Sequence, residues 1–413
     1  MVNLGKPKPE CRMSEKVSCM TGGGFWKKGG NSGMKKILIV TTISGFLPQF
    51  ELNDVKLLQG MGCEVHYASN FDNPVYSCDR KKLRNMGIRL HHINVMKSPA
   101  KLFDNLRAIG EIKKIIDDEG ITMVHCHNPM GGFTARIASY MSEKKPYVLY
   151  TAHGLHFYKG APLKNWILYY PVEKVLARIT DGIVTINKED YENAKRLPLR
   201  KNGTVSQIHG VGVDEIRFCN KTEYKDRLRK ELGIPENAIH IVTAAELNDN
   251  KNQSVVIKAI AKLDNKNIYY SLCGKGPDKA GLQRLIKKLG LQDRVKLRGY
   301  RDDMENVLST ADIFAFPSKR EGLGIAAVEA LLCGVPLVVS DNRGTREYAQ
   351  DGLNAIVCRE NTPDDFADAI KKLAEDNNLR KRLSDECRIS AIPFTLSEVE
   401  KSMRDIYRRI LVR

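Results

Sequence analysis

Two blocks of alternating strand and helix signals, separated by the glycine-rich segment His209-Gly-Val-Gly-Val-Asp214, restrict this chain more than any other feature. Short apolar runs with no polar alternation read as parallel strands buried on both faces, and such strands require a helical crossover between them. In the first block the runs fall at 36–42, 64–68, 121–125, 147–151 and 182–186, with helices such as 101–118 and 187–196 between them. In the second block strands are expected at 239–245, 268–273, 294–298, 311–316 and 336–340. Helices are expected there at 252–263, 279–289, 302–310, 322–333 and 363–376. The pattern is α/β: two Rossmann-like, doubly wound domains, 34–208 and 209–395, joined at a glycine hinge and facing each other across a cleft. Ligands of such a fold bind outside the carboxyl ends of the strands.

At the chain's ends the signals differ. Residues 1–33 are rich in Gly and Lys, show no apolar periodicity and lack the apolar core of a signal peptide. They are expected to be a disordered extension ahead of Met34, which opens the first strand run. Residues 396–413 read as an amphipathic helix able to pack back on the first domain.

The most informative chemistry lies in Ser318-Lys-Arg-Glu-Gly-Leu-Gly-Ile-Ala-Ala-Val-Glu-Ala-Leu-Leu-Cys-Gly-Val-Pro336. A helix over 322–333 would put Glu321 in the turn before it and Glu329 about two turns in, roughly 12 Å further along the axis. The free amides of Gly322, Leu323, Gly324 and Ile325 would lie between the two carboxylates and face any anion docked there. Such a layout suits a ligand with a hydroxyl-rich ring at each end of a diphosphate, as in a nucleotide sugar.

Other residues collect at the same strand ends. Lys251 follows the first strand of the second block and can meet a diphosphate as a point charge. Gly274-Lys275-Gly276 follows the next strand, where glycine allows close backbone approach to a ligand. Arg298-Gly299-Tyr300 is a similar loop, able to line a base pocket through backbone groups. In the first block Thr42-Ile-Ser-Gly45-Phe46 occupies the leading turn, without the G-x-G-x-x-G spacing of a dinucleotide site. His153 ends a strand and faces the cleft. His125-Cys-His127 ends another, but no third or fourth metal ligand can be placed beside it, so no metal is expected. The aromatic and basic run Phe157, Tyr158, Lys159, Trp166, Tyr169 and Tyr170 looks like a lip that grips an amphipathic acceptor or the membrane interface.

Charge narrows the partners. With 66 Lys+Arg against 49 Asp+Glu the net charge is +17, which favours an anionic partner. The aromatic fraction is 7% and no nucleic-acid-reading motif is present, so nucleic acid is not expected. Basic residues gather on expected helices, including Lys225–Lys230 and Arg404–Arg413, which fits loose attachment to an anionic bilayer. No run approaches the roughly 18 consecutive apolar residues of a membrane-spanning helix. The ten cysteines include no C-x-x-C pair and read as reduced, buried thiols.

Taken together, Glu321-x7-Glu329, Glu246-Leu-Asn-Asp-Asn-Lys251-Asn, Leu272-Cys-Gly-Lys-Gly-Pro277, Thr151-Ala-His-Gly-Leu-His-Phe-Tyr-Lys-Gly160 and Arg343-Gly344 resemble the retaining GT-B-fold glycosyltransferases of bacterial capsular and exopolysaccharide synthesis, a family-4-like group. The resemblance runs from about Met34 to the C-terminus. It implies that Glu321 contacts donor-sugar hydroxyls, Glu329 the ribose, Lys251 and the 322–325 amides the diphosphate, and that His153 sits near the transferred sugar. It implies a hexose or N-acetylhexosamine moved from a UDP-sugar, with retention and without a metal, to a lipid-linked glycan by a cytoplasmic, peripherally attached enzyme. The wider family often has Arg where this chain has Glu246, so Lys319, Arg320 or Lys275 must supply the second positive charge. A UDP-sugar 2-epimerase, a sugar-phosphate-forming synthase and a non-catalytic nucleotide-sugar binder share the architecture and stand as alternatives.

Overall fold

The computed structural model describes residues 34–72, 75–219 and 225–412. The expected extension 1–33 lies outside the described residues. Among the described residues thirteen strands form two sheets in which every pairing is parallel. In the first domain they are β1 (Lys36–Val40), β2 (Glu64–Ser69), β3 (Arg89–His92), β4 (Met123–His127), β5 (Tyr147–Ala152), β6 (Gly182–Thr185) and β7 (Thr204–Gln207), in the order β3-β2-β1-β4-β5-β6-β7. In the second domain β8 (Ile239–Ala244), β9 (Ile268–Cys273), β10 (Val295–Gly299), β11 (Ile313–Phe316), β12 (Leu337–Ser340) and β13 (Ala355–Cys358) run β10-β9-β8-β11-β12-β13.

The strand order reverses beside β1 in one sheet and beside β8 in the other. Each reversal opens a crevice at the carboxyl edge, because successive crossover helices leave toward opposite sides. Central strands are sealed on both faces: Ile37, Leu38, Ile39 and Val40 of β1 and Ile313, Phe314 and Ala315 of β11 have no exposed surface. Their continuous apolar runs made them visible in the sequence. β3, β7 and β13 are edge strands; β3 and β7, with exposed Arg89 and half-buried Ser206, carry no apolar run, while β13 (Ala355-Ile-Val-Cys358) is apolar but only four residues long.

One expected element is corrected. The helix read as 322–333 begins only at Ile325 and ends at Leu332. Gly324 stands at φ +99°, a left-handed conformation in which a Cβ would also lie 2.7 Å from the Phe316 ring and 2.8 Å from the Tyr348 hydroxyl. Leu323 turns its side chain into the core. The amides of residues 322–324 therefore belong to an irregular turn, and the helix's own first amides are those of Ile325 and Ala326. The Ala327 N–H already closes onto the Gly324 carbonyl at 3.0 Å.

Two chain crossings link the domains. The hinge at Val213 and the returning segment at Thr395 run side by side, with Val213 N–H donating to the Phe394 carbonyl (3.0 Å) and Leu396 N–H donating to the Val213 carbonyl (2.8 Å). Gly212 allows this approach, since a Cβ there would sit 2.8 Å from the Leu396 Cα. The helix Leu396–Leu411 then lies on the first domain, its Tyr407 hydroxyl 2.7 Å from Asp54 Oδ2 and 2.9 Å from His125 Nδ1. Among the described residues no helix is long and apolar enough to cross a membrane.

Candidate functional site

The loops that follow β11 and β12 meet those that follow β5 and β6. Directly after β11, Ser318–Gly324 forms the floor. Lys251 leaves the short turn Asp249–Lys251, pinned where its backbone N–H donates to Asn248 Oδ1 at 3.0 Å. The Lys251 ammonium forms an ion pair with Glu321 and stands 5.3 Å above the Phe316 ring. This lysine and carboxylate, both mostly buried, form the charged centre of the second-domain wall.

Glycines let backbone segments close around that centre. A Cβ on Gly322 would lie 2.5 Å from the His153 carbonyl oxygen, and one on Gly344 would lie 2.7 Å from the Glu321 Cβ. Gly274, at φ +151°, would strike the Ala245 carbonyl at 1.9 Å. Gly276 would strike that of Leu247 at 2.2 Å. In the first domain Gly45 packs against the Tyr76 backbone, at 2.3 Å from a notional Cβ.

The two walls are tied by polar contacts that sequence reasoning missed. Arg343, after β12, donates through Nη1 to Asp190 Oδ1 (2.7 Å) and through Nη2 to the Leu155 carbonyl (2.9 Å). Its guanidinium also lies 4.4 Å from the Tyr158 ring centroid. Asn187 caps the helix Lys188–Lys195 by accepting from Asp190 N–H (2.8 Å) and reaches across to the Gly322 carbonyl (3.0 Å). Burial pushes the Asp190 carboxyl up, and Arg343 opposes this. The sequence signal was present in Asn187-x-x-Asp190, a capping pattern directly after a strand, but its interdomain partner was not legible.

His153 is drawn into a buried group. Its Nε2 lies 3.2 Å from His127 Nδ1, and both imidazoles lie 3.5 Å from Glu51 Oε1. Glu51 ends a π-helical turn, Leu47–Glu51, and had no sequence signal beyond an acid among apolar neighbours. Burial lowers His153 to about 4 and His127 further, while burial and then Asp54 raise Glu51 well above the usual carboxylate range. Burial thus favours the neutral form of each group.

The remaining expected site residues are more dispersed. Tyr300 is exposed, with Lys275 Nζ 5.7 Å from its ring centroid. The Arg298 guanidinium donates to the Leu232 carbonyl and to Ser271 Oγ, so its side chain is engaged within the second domain. The expected aromatic lip divides. Phe157, Trp166 and Tyr170 pack together on the core, and Tyr169 stacks on His156 at 4.4 Å. The outward face of the helix Leu163–Ala177 is instead aliphatic: Leu163, Ile167, Leu168, Val172 and Val175 are exposed, beside Lys164, Lys174 and Arg178.

Glu329 stands in the second turn of the Ile325–Leu332 helix. Burial raises its carboxyl to about 7, with Arg217 pulling down and Glu305 pushing up. The folded chain thus retains a proton that the unfolded chain, with an ordinary glutamate near 4.3, has released. Stability attributable to this group falls as pH rises from about 4.5 to 7. Glu329→Gln should remove that fall: between pH 5 and 8 the wild type should lose about 2 kcal/mol more than the variant in urea unfolding. Parallel pH profiles would show that Glu329 is ordinarily ionised.

Comparisons with known proteins agree with this geometry. Residues 224–389 match the family described as glycosyl transferases group 1, and residues 36–187 match the glycosyl transferase 4-like family. The chain is 38% identical over 379 residues to the putative glycosyltransferase EpsD of Bacillus subtilis (strain 168), covering 90% of this chain and 96% of that protein. It is 24% identical over 331 residues to the Escherichia coli UDP-Gal:alpha-D-GlcNAc-diphosphoundecaprenol alpha-1,3-galactosyltransferase, covering 79% and 85%. Among solved structures, Anabaena HepE in complex with UDP and glucose superposes with TM-score 0.73 at 18% identity, over 91% of this chain and all (100%) of that one. WaaG, a glycosyltransferase of lipopolysaccharide biosynthesis, superposes with TM-score 0.70 at 16% identity, over 90% and 99%. Two facing Rossmann-like domains of this build are the GT-B architecture, and the chain belongs to the group 1, family-4-like glycosyltransferases.

Proposed function

We propose that this glycosyltransferase moves a hexose or N-acetylhexosamine from a UDP-sugar, with retention at the anomeric carbon, to a lipid-linked glycan in surface polysaccharide synthesis. The observation that carries the reading is the Lys251–Glu321 pair beside the glycine turn that opens the Ile325–Leu332 helix. A diphosphate seated at the turn would accept from the amides of Gly322 to Ala326 and draw the Lys251 ammonium from sole service to Glu321. Glu321 would then accept from donor-sugar hydroxyls, and Glu329 from the ribose.

In this mechanism the bond from the anomeric carbon to the diphosphate breaks while the acceptor oxygen adds on the same face. The acceptor's proton passes to the departing phosphate oxygen. Negative charge grows on the diphosphate, where preorganised amides and a cation act without a metal. Lys251 provides one positive charge. Among the three candidates for a second, Lys319 is already paired with Asp249 at 2.7 Å, and Lys275 lies over Tyr300. Arg320 has no acidic side chain within 4.0 Å among the described residues and lies close enough to His156 to depress its basicity, so it is the better placed. His153, neutral, would hydrogen-bond the transferred sugar.

The lipid-linked acceptor is supported by the exposed aliphatic face of Leu163–Ala177 and its flanking cations. An apolar stripe edged with lysine and arginine suits an anionic bilayer surface, and a soluble acceptor would not need it. The relative acting on a diphosphoundecaprenol-linked substrate points the same way.

Lys251→Ala should reduce sugar transfer at least about a hundredfold, equivalent to roughly 3 kcal/mol in the barrier, with little change in melting temperature. Wild-type rates in that variant would remove the diphosphate assignment. On the membrane side, wild-type protein should co-sediment with anionic phospholipid vesicles at low salt, and Ile167→Glu/Leu168→Glu should abolish this while leaving circular dichroism unchanged. Equal sedimentation of the two proteins would take the lipid surface away from this helix.

A further inference from the structure

We infer, resting on the reading that His153 meets the transferred sugar, that His127 and Glu51 are positioning residues which keep the His153 proton on Nδ1, so that this imidazole reaches the sugar as a hydrogen-bond donor. The three side chains come from neighbouring elements: Glu51 ends the turn after β1, His127 ends β4 and His153 follows β5. Strands β1, β4 and β5 are adjacent in the sheet, so the ladder fixes their spacing. His153 has little freedom of its own. Its carbonyl oxygen lies against Gly322, where a Cβ would come within 2.5 Å, and the Phe46 ring meets its imidazole edge to face at 5.0 Å.

A neutral imidazole carries one N–H and one bare nitrogen, and the hydrogen bond at one nitrogen decides the state of the other. Burial favours the neutral forms of His127 and His153. His127 Nδ1 and His153 Nε2 are 3.2 Å apart, so one of them carries the proton between them. The far side of His127 settles which. This residue is wholly buried, and its Nε2 has no hydrogen-bond partner among the described residues. His125, whose ring centroid lies 4.2 Å from that of His127, cannot serve it. Its own Nε2 is bonded to Thr151 Oγ1 (2.7 Å) and its Nδ1 to the Tyr407 hydroxyl (2.9 Å). A proton on His127 Nε2 would therefore be a buried donor without an acceptor, a rarer and costlier defect than an unmatched lone pair. The His127 proton thus sits on Nδ1 and is donated to His153 Nε2.

Glu51 acts on the same nitrogen. Its Oε1 is 3.5 Å from both His127 Nδ1 and His153 Nε2, and it too is buried without a hydrogen-bond partner among the described residues. Burial favours the protonated carboxyl, and of the two nitrogens only a bare His153 Nε2 can accept from its O–H. Two donors converge on Nε2, so the one proton of neutral His153 is left on Nδ1. Among the described residues no group is bonded to that Nδ1, and the side chain is 20% exposed, which leaves the N–H for a ligand. A sugar hydroxyl or an acetamido carbonyl oxygen can accept from it. A sugar ammonium, which only donates, cannot.

The tautomer can be read in the free protein. In the full-length chain, with histidines carrying the heavy nitrogen isotope, the His153 signals are assigned by their loss in His153→Gln. Long-range proton–nitrogen correlation spectra should then show a protonated Nδ1 and a bare Nε2 at His153. Glu51→Ala and His127→Ala should each move these signals toward a mixture of tautomers. Each should also lower kcat/KM for the UDP-sugar about three- to tenfold, the worth of one hydrogen bond, with UDP affinity at the wild-type value. Glu51→Gln, whose amide can donate to Nε2, should restore both. A protonated Nε2 at His153 in the wild type would overturn the inference, as would His153 signals unchanged in both alanine variants. Bound UDP-sugar should shift the Nδ1 signal and UDP alone should not. Equal His153 signals in the two complexes would remove the reading that His153 meets the sugar, while the tautomer is judged on the free protein.

Discussion

The Arg343 guanidinium, buried between the two domains, is the contact on which the site depends. Moving a guanidinium and a carboxylate out of water costs several kcal/mol per ion unless the partners are complete. Here Asp190, the Leu155 carbonyl, the Glu321 carbonyl at 3.3 Å and the Tyr158 face surround the cation. Because Arg343 bonds at once to the first domain and to the backbone of Glu321, it sets the second domain's turn against His153. The neighbouring Asn187–Gly322 contact repeats that constraint one residue further along. The cleft is thus narrow where the two strand-end rims meet.

Burial governs chemistry across this boundary. On the second-domain side, charge is kept: Lys251 and Glu321 remain an ion pair at the edge of solvent. On the first-domain side, charge is suppressed: Glu51, His127 and His153 are deep enough that burial favours their neutral forms. In the proposed reaction the diphosphate would meet its cation and amides on one wall, facing on the other a polar surface whose groups burial holds toward their neutral forms.

Much of this was legible in the amino-acid order. Buried central strands are rich in apolar and β-branched residues, so β1, β2, β8 and β9 stood out almost to the residue even where His66 or His240 interrupts the run. The edge strand Arg89–His92 has no fully buried residue and carries no such run. The start of the helix at Ile325 was misread because Gly322 and Gly324 were treated as helical amides. Gly324, three residues before the buried Ala327, was in fact the sign of a left-handed turn. Glu321, Lys251 and His153 were identifiable by their positions at strand ends. Glu51, Asp190 and Asn187 were not, because their significance lies in partners up to 153 residues away, as for Asp190 and Arg343. Local pattern cannot report such a pairing.

The central claim is that the second-domain turn around Glu321, with Lys251 beside it, seats a nucleoside diphosphate. A crystal structure with UDP bound tests this most directly. The account predicts the diphosphate within hydrogen-bonding distance of the Lys251 ammonium and the amides at 322–326, with the ribose at Glu329. Density for UDP at the Thr42–Phe46 turn of the first domain, with the Lys251–Glu321 pair undisturbed, would contradict it.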